Sequence, residues 1–239
     1  LLMPLIIIAF YVILLNKIKV VLCVIGGFLK MNKNFMWDCV YNQLAIDYNC
    51  KPDDFLKDGL IFTEAVENKG RRPFPFMSPR LELISMGNSV VINTSSDILP
   101  IVQKQLTGKS RDEAFGMPFV FGINQYFLPD IENIPNPCMP SGFDYEIIEK
   151  EDIHSLYEIA GFDYVLQYDI NSLFSEMLVV LAKDKGQVVC MAGANIDCKV
   201  MRGINVDVLP SHRGQGLASA LVNMLTLEVL NRECIPYFF

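Results

Sequence analysis

One run of residues, 206–221, constrains the fold of this chain more than any other. It reads V-D-V-L-P-S-H-R-G-Q-G-L-A-S-A-L, an apolar strand end and a proline turn, then two glycines and an apolar helix. Gly214 and Gly216 can adopt positive φ angles, which lets backbone N–H groups approach an anion at the start of a helix. Arg213 adds a positive charge beside them. The run therefore predicts a phosphate-binding loop.

Spacing excludes two other nucleotide-binding loops. The chain contains no G-x-x-x-x-G-K-[ST] loop, and the dinucleotide pattern G-x-G-x-x-G lacks its last glycine because Ser219 follows Gly216 by three places. A loop with two glycines is a weak signal by itself. A plain strand-to-helix turn, in which the glycines serve only conformation, stays open as the alternative.

The pattern around this loop predicts a mixed α/β domain. Apolar runs predict strands over 143–148, 177–182, 187–196, 204–209 and 235–239, and helices are predicted over 151–159 and 217–230. K-D-K-G makes a tight turn between the second and third of these strands. The order strand, helix, strand, strand, strand, helix, strand is typical of a mixed α/β fold.

Residues 31–140 predict a smaller α+β domain before it. Helices are predicted over 37–46 and 95–106, and a hairpin over 81–94 turns at Gly87 and Asn88. Five prolines between 116 and 142 disfavour regular structure there. We therefore place the domain boundary near Ser141 and expect the second domain to occupy residues 141–239.

Residues 1–30 are mostly apolar and leave two interpretations open. As a helix the first 15 residues span about 22 Å, short of a hydrocarbon core of about 30 Å, and a longer span would bury Lys17 and Lys19. A secretory signal is incomplete because no basic residue precedes Lys17. We favour translation from Met31, which makes the leader a dispensable upstream artefact and the protein cytoplasmic. A membrane anchor is the alternative.

Composition limits the partners that the chain can take. Twenty Lys and Arg against 27 Asp and Glu give a net charge of −7, which argues against nucleic acid because no basic excess exists. The seven cysteines include no C-x-x-C pair, and two histidines are too few for a histidine metal centre. We predict no metal site.

The glycine loop resembles motif A of the GNAT superfamily of N-acetyltransferases, R/Q-x-x-G-x-G/A, matched at Arg213, Gly216 and Ala218. Four stretches resemble the subgroup related to zwittermicin-resistance acetyltransferases, at residues 43–50, 108–115, 117–124 and 221–228. This resemblance extends from Met31 to the end of the chain. It implies a GNAT-like, mostly antiparallel mixed sheet flanked by helices, preceded by the smaller α+β domain.

The resemblance also implies site residues and a co-substrate. The pantetheine arm of acetyl-CoA would lie along the strand that contains Val206 and Val208. Its pyrophosphate would bind to the loop and helix start formed by Arg213, Gly214, Gln215, Gly216, Leu217 and Ala218. The amine would attack the thioester directly, so no Ser or Cys nucleophile is needed. Asp197 and Asp207 are the general-base candidates, and Tyr237 is the local candidate for the general acid.

Other reactive side chains receive ordinary roles. We expect Cys190, Cys198 and Cys234 to be packed thiols because no histidine is near them in sequence, and His212 to face solvent. The domain is also expected to be incomplete at its C-terminus, since the sequence given ends on an apolar strand.

The predicted function is acetyl transfer from acetyl-CoA to a primary amine of a small molecule. The acidic balance favours a cationic acceptor. A non-catalytic acyl-CoA-binding module and a membrane-tethered variant are the alternatives.

Overall fold

The computed structural model describes residues 8–12, 32–72, 79–166 and 175–238. The chain divides into two compact units, residues 1–127 and residues 128–238. The boundary expected near Ser141 lies inside the second of these units, and the domain limits derived from the sequence stay predictions.

The first unit is a mixed sheet with three short helical stretches and one longer helix in its described part. In chain order its elements are β1 (Ile8–Val12), α1 (Lys33–Asp47), a 3-10 helix (Pro52–Leu56), β2 (Gly59–Glu64), β3 (Leu81–Met86), β4 (Ser89–Thr94), α2 (Leu99–Leu106), α3 (Arg111–Phe115) and β5 (Asn124–Gln125). The strand order is β2-β4-β3-β1-β5, in which β3 and β4 are antiparallel and the other neighbours are parallel. The predicted hairpin over 81–94 is confirmed, with Gly87 at a φ of +65°.

Local capping explains where two of these helices begin. The side chain of Asn32 accepts a hydrogen bond of 2.8 Å from the backbone N–H of Phe35, which starts α1. Ser110 and Glu113 form a reciprocal capping box at the start of α3, a helix that the sequence analysis did not predict. Leu83, Ile92 and Leu106 belong to the apolar core of this unit.

A buried ion pair ties distant segments of the first unit together. The Nε of Arg72 lies 2.5 Å from Oδ2 of Asp47, and its backbone N–H donates to Oδ1 of the same carboxylate at 2.9 Å. Gln43 also donates to this carboxylate at 2.9 Å. Buried charges need such partners, because each would otherwise lose its hydration without compensation.

The second unit contains the predicted mixed, mostly antiparallel sheet. Its elements are β6 (Asp144–Glu149), a 3-10 helix (Lys150–Glu158), β7 (Glu176–Asp184), β8 (Gln187–Asn195), β9 (Met201–Val208), a 3-10 turn (Pro210–His212), α4 (Leu217–Asn231) and β10 (Ile235–Tyr237). The strand order is β10-β9-β8-β7-β6, and only the β9–β10 pairing is parallel. The helix predicted over 151–159 is a 3-10 helix.

Both faces of this second sheet are covered. On one face Ile204, Val206 and Val208 pack with the buried side of α4. Alternation along the strand puts Gly203, Asn205 and Asp207 on the opposite face. There the 3-10 helix of residues 150–158 and Val165 cover β7 and β8. The two faces of β9 therefore meet different surroundings.

Within residues 32–72, 79–166 and 175–238, no helix is both long enough and apolar enough to cross a membrane. Of the leader, the structure describes Ile8–Val12, which pairs with β3 and β5 as β1. The rest of residues 1–30 lies outside the described part, and both interpretations of the leader stay predictions.

Candidate functional site

The glycine loop presents free backbone donors at the start of α4. Gly214 and Gly216 have φ angles of +75° and +80°, and Gly216 is the N-cap of the helix. Ala220 donates the first helical hydrogen bond, 3.1 Å to the carbonyl oxygen of Gly216. The N–H groups of Leu217 and Ala218 therefore have no acceptor inside the helix. This arrangement, with the helix dipole behind it, suits an anion.

Conformation explains why glycine stands at position 214. A Cβ atom built there would meet nothing within 4 Å, so the positive φ, and not crowding, is what excludes other residues. Residues 213–216 are all exposed. The loop is thus accessible to a ligand and is held in shape by its backbone.

Two neighbours brace this loop. Arg213 is exposed and its Nε donates to the carbonyl oxygen of Val208 at 3.2 Å. His212 is half-buried, contrary to the expectation that it faces solvent: Nε2 lies 3.3 Å from Oδ2 of Asp184, and Nδ1 lies 2.9 Å from Oγ of Ser211. The hairpin turn between β7 and β8 places Asp184 beside the loop, which the sequence alone does not reveal.

The C-terminal half of β9 has one edge without a partner strand in the described chain. β10 pairs with residues 201–203 only, whereas β8 pairs with residues 204–208. The N–H of Leu209 donates to Val189 on the β8 side, at 2.9 Å. Because successive residues direct their backbone groups to opposite edges, Val206 and Val208 direct theirs away from β8, to the unpaired edge. A ligand can pair with that edge.

Asp207, one of the general-base candidates, has a structural partner. Its Oδ2 accepts hydrogen bonds from the backbone N–H groups of Tyr164 and Val165, both at 2.9 Å. The carboxylate therefore ties the turn at residues 163–166 to β9. Its role as a base stays a prediction.

Asp197, the other candidate, is buried beside Tyr237. Oδ2 of Asp197 accepts from the backbone N–H of Gly203 at 3.1 Å and from the hydroxyl of Tyr237. β8 and β9 are antiparallel, so Asp197 and Asp207 lie at opposite ends of β9: Gly203 and Asp207 are four residues apart, about 13 Å along a strand. The structure brings Asp197 to Tyr237 and not to Asp207.

Glu176 is a polar residue that the sequence analysis missed. It opens β7, is 5% exposed, and its Oε2 accepts a 2.6 Å hydrogen bond from the hydroxyl of Tyr157. Burial raises the pKa of Glu176, and the bond from Tyr157 opposes this shift without cancelling it. The sequence signal that could have identified Glu176 is a single acidic residue at the start of an apolar strand. Its carboxylate loses hydration when the strand is buried.

The cysteines in the described chain are free thiols. Burial, with a smaller contribution from Asp207, raises the pKa of Cys190 to about 12. The thiol is thus protonated at neutral pH and is a poor nucleophile. No group of three or more His, Cys, Asp or Glu residues in the described segments could hold a metal ion.

One comparison with known proteins falls on the second unit. Residues 128–238 match the family model "Acetyltransferase (GNAT) family". No curated protein matches the sequence. The chain is similar to a solved GCN5-related N-acetyltransferase-like protein from Streptococcus suis 89/1591, with 25% identity over 42% of this chain and 41% of that chain and a TM-score of 0.37.

Two further solved structures are more distant. A GCN5-related N-acetyltransferase from Kribbella flavida is 22% identical over 47% of this chain and 45% of that chain, with a TM-score of 0.34. An aminoglycoside acetyltransferase from an uncultured soil metagenomic sample is 13% identical over 41% and 76%, with a TM-score of 0.31.

The chain spans less than half the length of the Streptococcus suis and Kribbella flavida proteins. The family model covers the unit that holds the glycine loop and the unpaired edge of β9. Residues 128–238 are therefore similar in sequence to the acetyltransferase (GNAT) family.

Proposed function

We propose that residues 128–238 bind acetyl-CoA and transfer its acetyl group to a primary amine of a small molecule. The observation that carries this proposal is the exposed loop with positive-φ glycines at the start of α4, next to the unpaired edge of β9. The loop offers backbone N–H donors for a phosphate, and the unpaired edge of β9 offers backbone groups with which an extended ligand can form hydrogen bonds. Acetyl-CoA has both parts and supplies an acetyl thioester.

Each part of the co-substrate has an assigned place. The N–H groups of the segment from Gly214 to Ala218 would receive the pyrophosphate, with the guanidinium of Arg213 beside them. The pantetheine amides would pair with Val206 and Val208, whose backbone groups are directed to the unpaired edge. Leu217, which is fully buried, anchors the helix start beneath the loop.

The reaction needs orientation and a proton acceptor. A neutral amine attacks the thioester carbon, a C–N bond forms, the C–S bond breaks, and CoA leaves as a thiolate that takes up a proton. The ammonium form of the amine must first lose one proton, and the amide nitrogen loses another after attack. Asp197 and Asp207 stay the predicted bases, and the hydrogen bond from Tyr237 favours Asp197 as the one coupled to a second proton donor.

The finer assignments belong to the same proposal. The acidic balance of the chain, −7, favours a cationic acceptor. We retain the zwittermicin-resistance-type subgroup, the cytoplasmic location and the domain limits at 30 and 140 as proposals.

A non-catalytic acyl-CoA-binding module is the second candidate. It is favoured by one observation, namely that both aspartates already accept hydrogen bonds from backbone N–H groups. Such bonds can be purely structural. The two candidates predict the same ligand and differ in turnover.

The test titrates the full chain with acetyl-CoA by calorimetry and then follows thiol release against a panel of primary amines. Binding with amine-dependent release supports the transferase. Binding without release for any amine of a broad panel favours the binding module. Lack of any heat of binding would overturn both.

A further inference from the structure

We propose that Glu176 and Asn195 hold the primary ammonium group of the acceptor. Glu176 takes the proton that the ammonium loses before attack, and Asp197 and Asp207 stay the predicted bases for the proton lost after attack. This inference rests on the proposed acetyl transfer for its role in the reaction. The site itself rests on five observations made in the part of the chain that the structure describes.

The strand pairing brings the two side chains together. Glu176 at the start of β7 is directly opposite Asn195 at the end of β8. Directly opposed residues of an antiparallel pair place their Cβ atoms about 4.5–5.5 Å apart. The register shifts between Glu176 and Leu178, and such irregularities commonly re-aim a side chain beside a functional site.

Both side chains end in a buried oxygen that accepts no hydrogen bond. The residues are 5% and 4% exposed, and Oε1 of Glu176 and Oδ1 of Asn195 have no partner within the described chain. Buried polar atoms are almost always satisfied in native proteins, so two unsatisfied acceptors side by side call for an explanation. Because both atoms are acceptors, the missing partner is a hydrogen-bond donor.

Glycines let these side chains approach the backbone closely. A Cβ atom at Gly203 would lie 2.5 Å from Oδ1 of Asn195 and 3.0 Å from Oδ2 of Asp197. A Cβ atom at Gly193 would lie 3.1 Å from Cγ of Glu176. Both positions thus require glycine for space. The oxygens of Glu176, Asn195 and Asp197 gather on one face of the sheet.

The negative charge of the Glu176 carboxylate favours a cation as the hydrogen-bond donor. Glu176 forms no ion pair with a Lys, Arg or His of residues 32–72, 79–166 and 175–238 within 4.0 Å. A carboxylate with a neutral amide beside it suits a group that is positive and carries several N–H bonds. A primary ammonium has both properties, whereas a quaternary ammonium lacks the N–H bonds.

Tyr157 orients the carboxylate for this task. Its hydroxyl donates to Oε2 at 2.6 Å, which leaves Oε1 for the ligand. The R–NH₃⁺ group gives one proton to Oε1, the carboxylate becomes a carboxylic acid, and the amine keeps the freed electron pair for attack on the thioester. The raised pKa of Glu176 suits a group that must hold a proton, and the titratable side chain of Tyr157 is in direct contact with it.

Methylammonium chloride is the probe that tests the site. The full chain, labelled with ¹³C at glutamate carboxyls, is titrated with methylammonium, tetramethylammonium or potassium chloride at equal ionic strength. We expect methylammonium alone to move the Glu176 resonance. For the Glu176→Gln variant, methylammonium binding is followed through the ¹⁵N-labelled side-chain amide of Asn195. The apparent affinity for methylammonium should fall at least about tenfold relative to the wild type.

A matched control is Glu146→Gln, since Glu146 is an exposed acid on β6 of the same sheet, bonded to Lys183. Its methylammonium affinity should stay within about twofold of the wild type. Asn195→Ala should weaken binding, and Tyr157→Phe, which keeps the ring, should shift the titration of Glu176. If Glu176→Gln does not fold, the comparison of methylammonium with tetramethylammonium in the wild type still decides.

Calorimetry with acetyl-CoA on the same samples separates the two proposals. Methylammonium binding without acetyl-CoA binding would remove the proposed function and leave the ammonium site. Acetyl-CoA binding with no methylammonium effect would overturn the inference. Equal responses to methylammonium, tetramethylammonium and potassium would also overturn it, because they would show that N–H donors are not recognised.

Discussion

The two ends of β9 differ in almost every physical property. At its C-terminal end, the exposed loop of residues 213–216 offers N–H donors and a positive charge. At its N-terminal end, Asn195, Asp197 and Gly203 lie buried, and oxygen acceptors dominate. The contrast matches what the two proposals require, an anion at one end of the strand and a cation at the other.

Gly216→Val should break the donor end and give the largest effect. A β-branched residue at a φ of +80° is strained, so the loop would change shape and its N–H groups would lose their common direction. Acetyl-CoA affinity, measured by calorimetry, should fall at least about tenfold, roughly 1.4 kcal/mol.

The matched control for that variant is Gly142→Val in the same unit. Gly142 has a φ of +90° and nothing within 4 Å of an added Cβ, so Val there carries similar strain at a position outside both the loop of residues 213–216 and α4. The affinity of the Gly142→Val variant for acetyl-CoA should equal that of the wild type. Equal losses in both variants would mean that strain, and not the donors, explains the result.

Gly203→Ala should break the acceptor end through crowding. The new methyl group would lie 2.5 Å from Oδ1 of Asn195, a distance that side chains do not tolerate. We expect the free energy of unfolding in urea to fall by about 1–3 kcal/mol. The double variant with Asn195→Ala should recover part of this loss, since the clashing oxygen is gone. Additive losses in the double variant would contradict the predicted clash.

Glu176→Gln sharpens the comparison by separating stability from function. Burial raises the folded pKa of Glu176 above its ordinary value of 4.5, so the folded state prefers the protonated form. Below pH 4.5 Glu176 is protonated in both the folded and the unfolded state, so it does not lower the free energy of unfolding. As the pH rises through the folded pKa, the wild type loses stability that the variant keeps.

Thermal unfolding therefore should give a higher midpoint for Glu176→Gln at pH 7 and a shrinking difference toward pH 4. Glu146→Gln, at an exposed position, serves as the control and should show no such trend. A constant difference across this range would show that the charge of Glu176 is not the cause.

Cysteine labelling gives the smallest effect, a difference in rate with no change in stability. Cys190 pairs with Val208 beneath the donor end, and its pKa of about 12 keeps the thiol protonated. Cys138 is exposed. Iodoacetamide at pH 8 should modify Cys138 and leave Cys190 intact, as read by peptide mass spectrometry. Labelling of both at the same rate would show that this part of the sheet opens readily.

The sequence predicted the elements whose signals are local. The hairpin at Gly87 and the loop from Gly214 to Gly216 were recognised because glycine placement and apolar periodicity act within a few residues. Neither β2 nor α3 was predicted. The residues of β2 do not alternate clearly, and α3 is five residues long, too short for a periodic pattern.

The buried acceptor end could not be predicted in the same way. Tyr157, Glu176, Asn195 and Gly203 come from four separate segments, and only the strand register brings them together. Asp197 and Asp207 look equivalent in the sequence because each stands near a strand end. The antiparallel pairing of β8 and β9 is what places them at opposite ends, and pairing direction is a long-range property.

Gly214 has one further consequence, which concerns handedness. A Cβ added there in the L configuration meets nothing within 4 Å, so the φ of +75°, and not crowding, is what disfavours an L residue. A D-alanine, introduced by chemical ligation, has its natural minimum in that region and would also restrict the unbound loop. At this position chirality, and not size, decides which residue can stand in the loop.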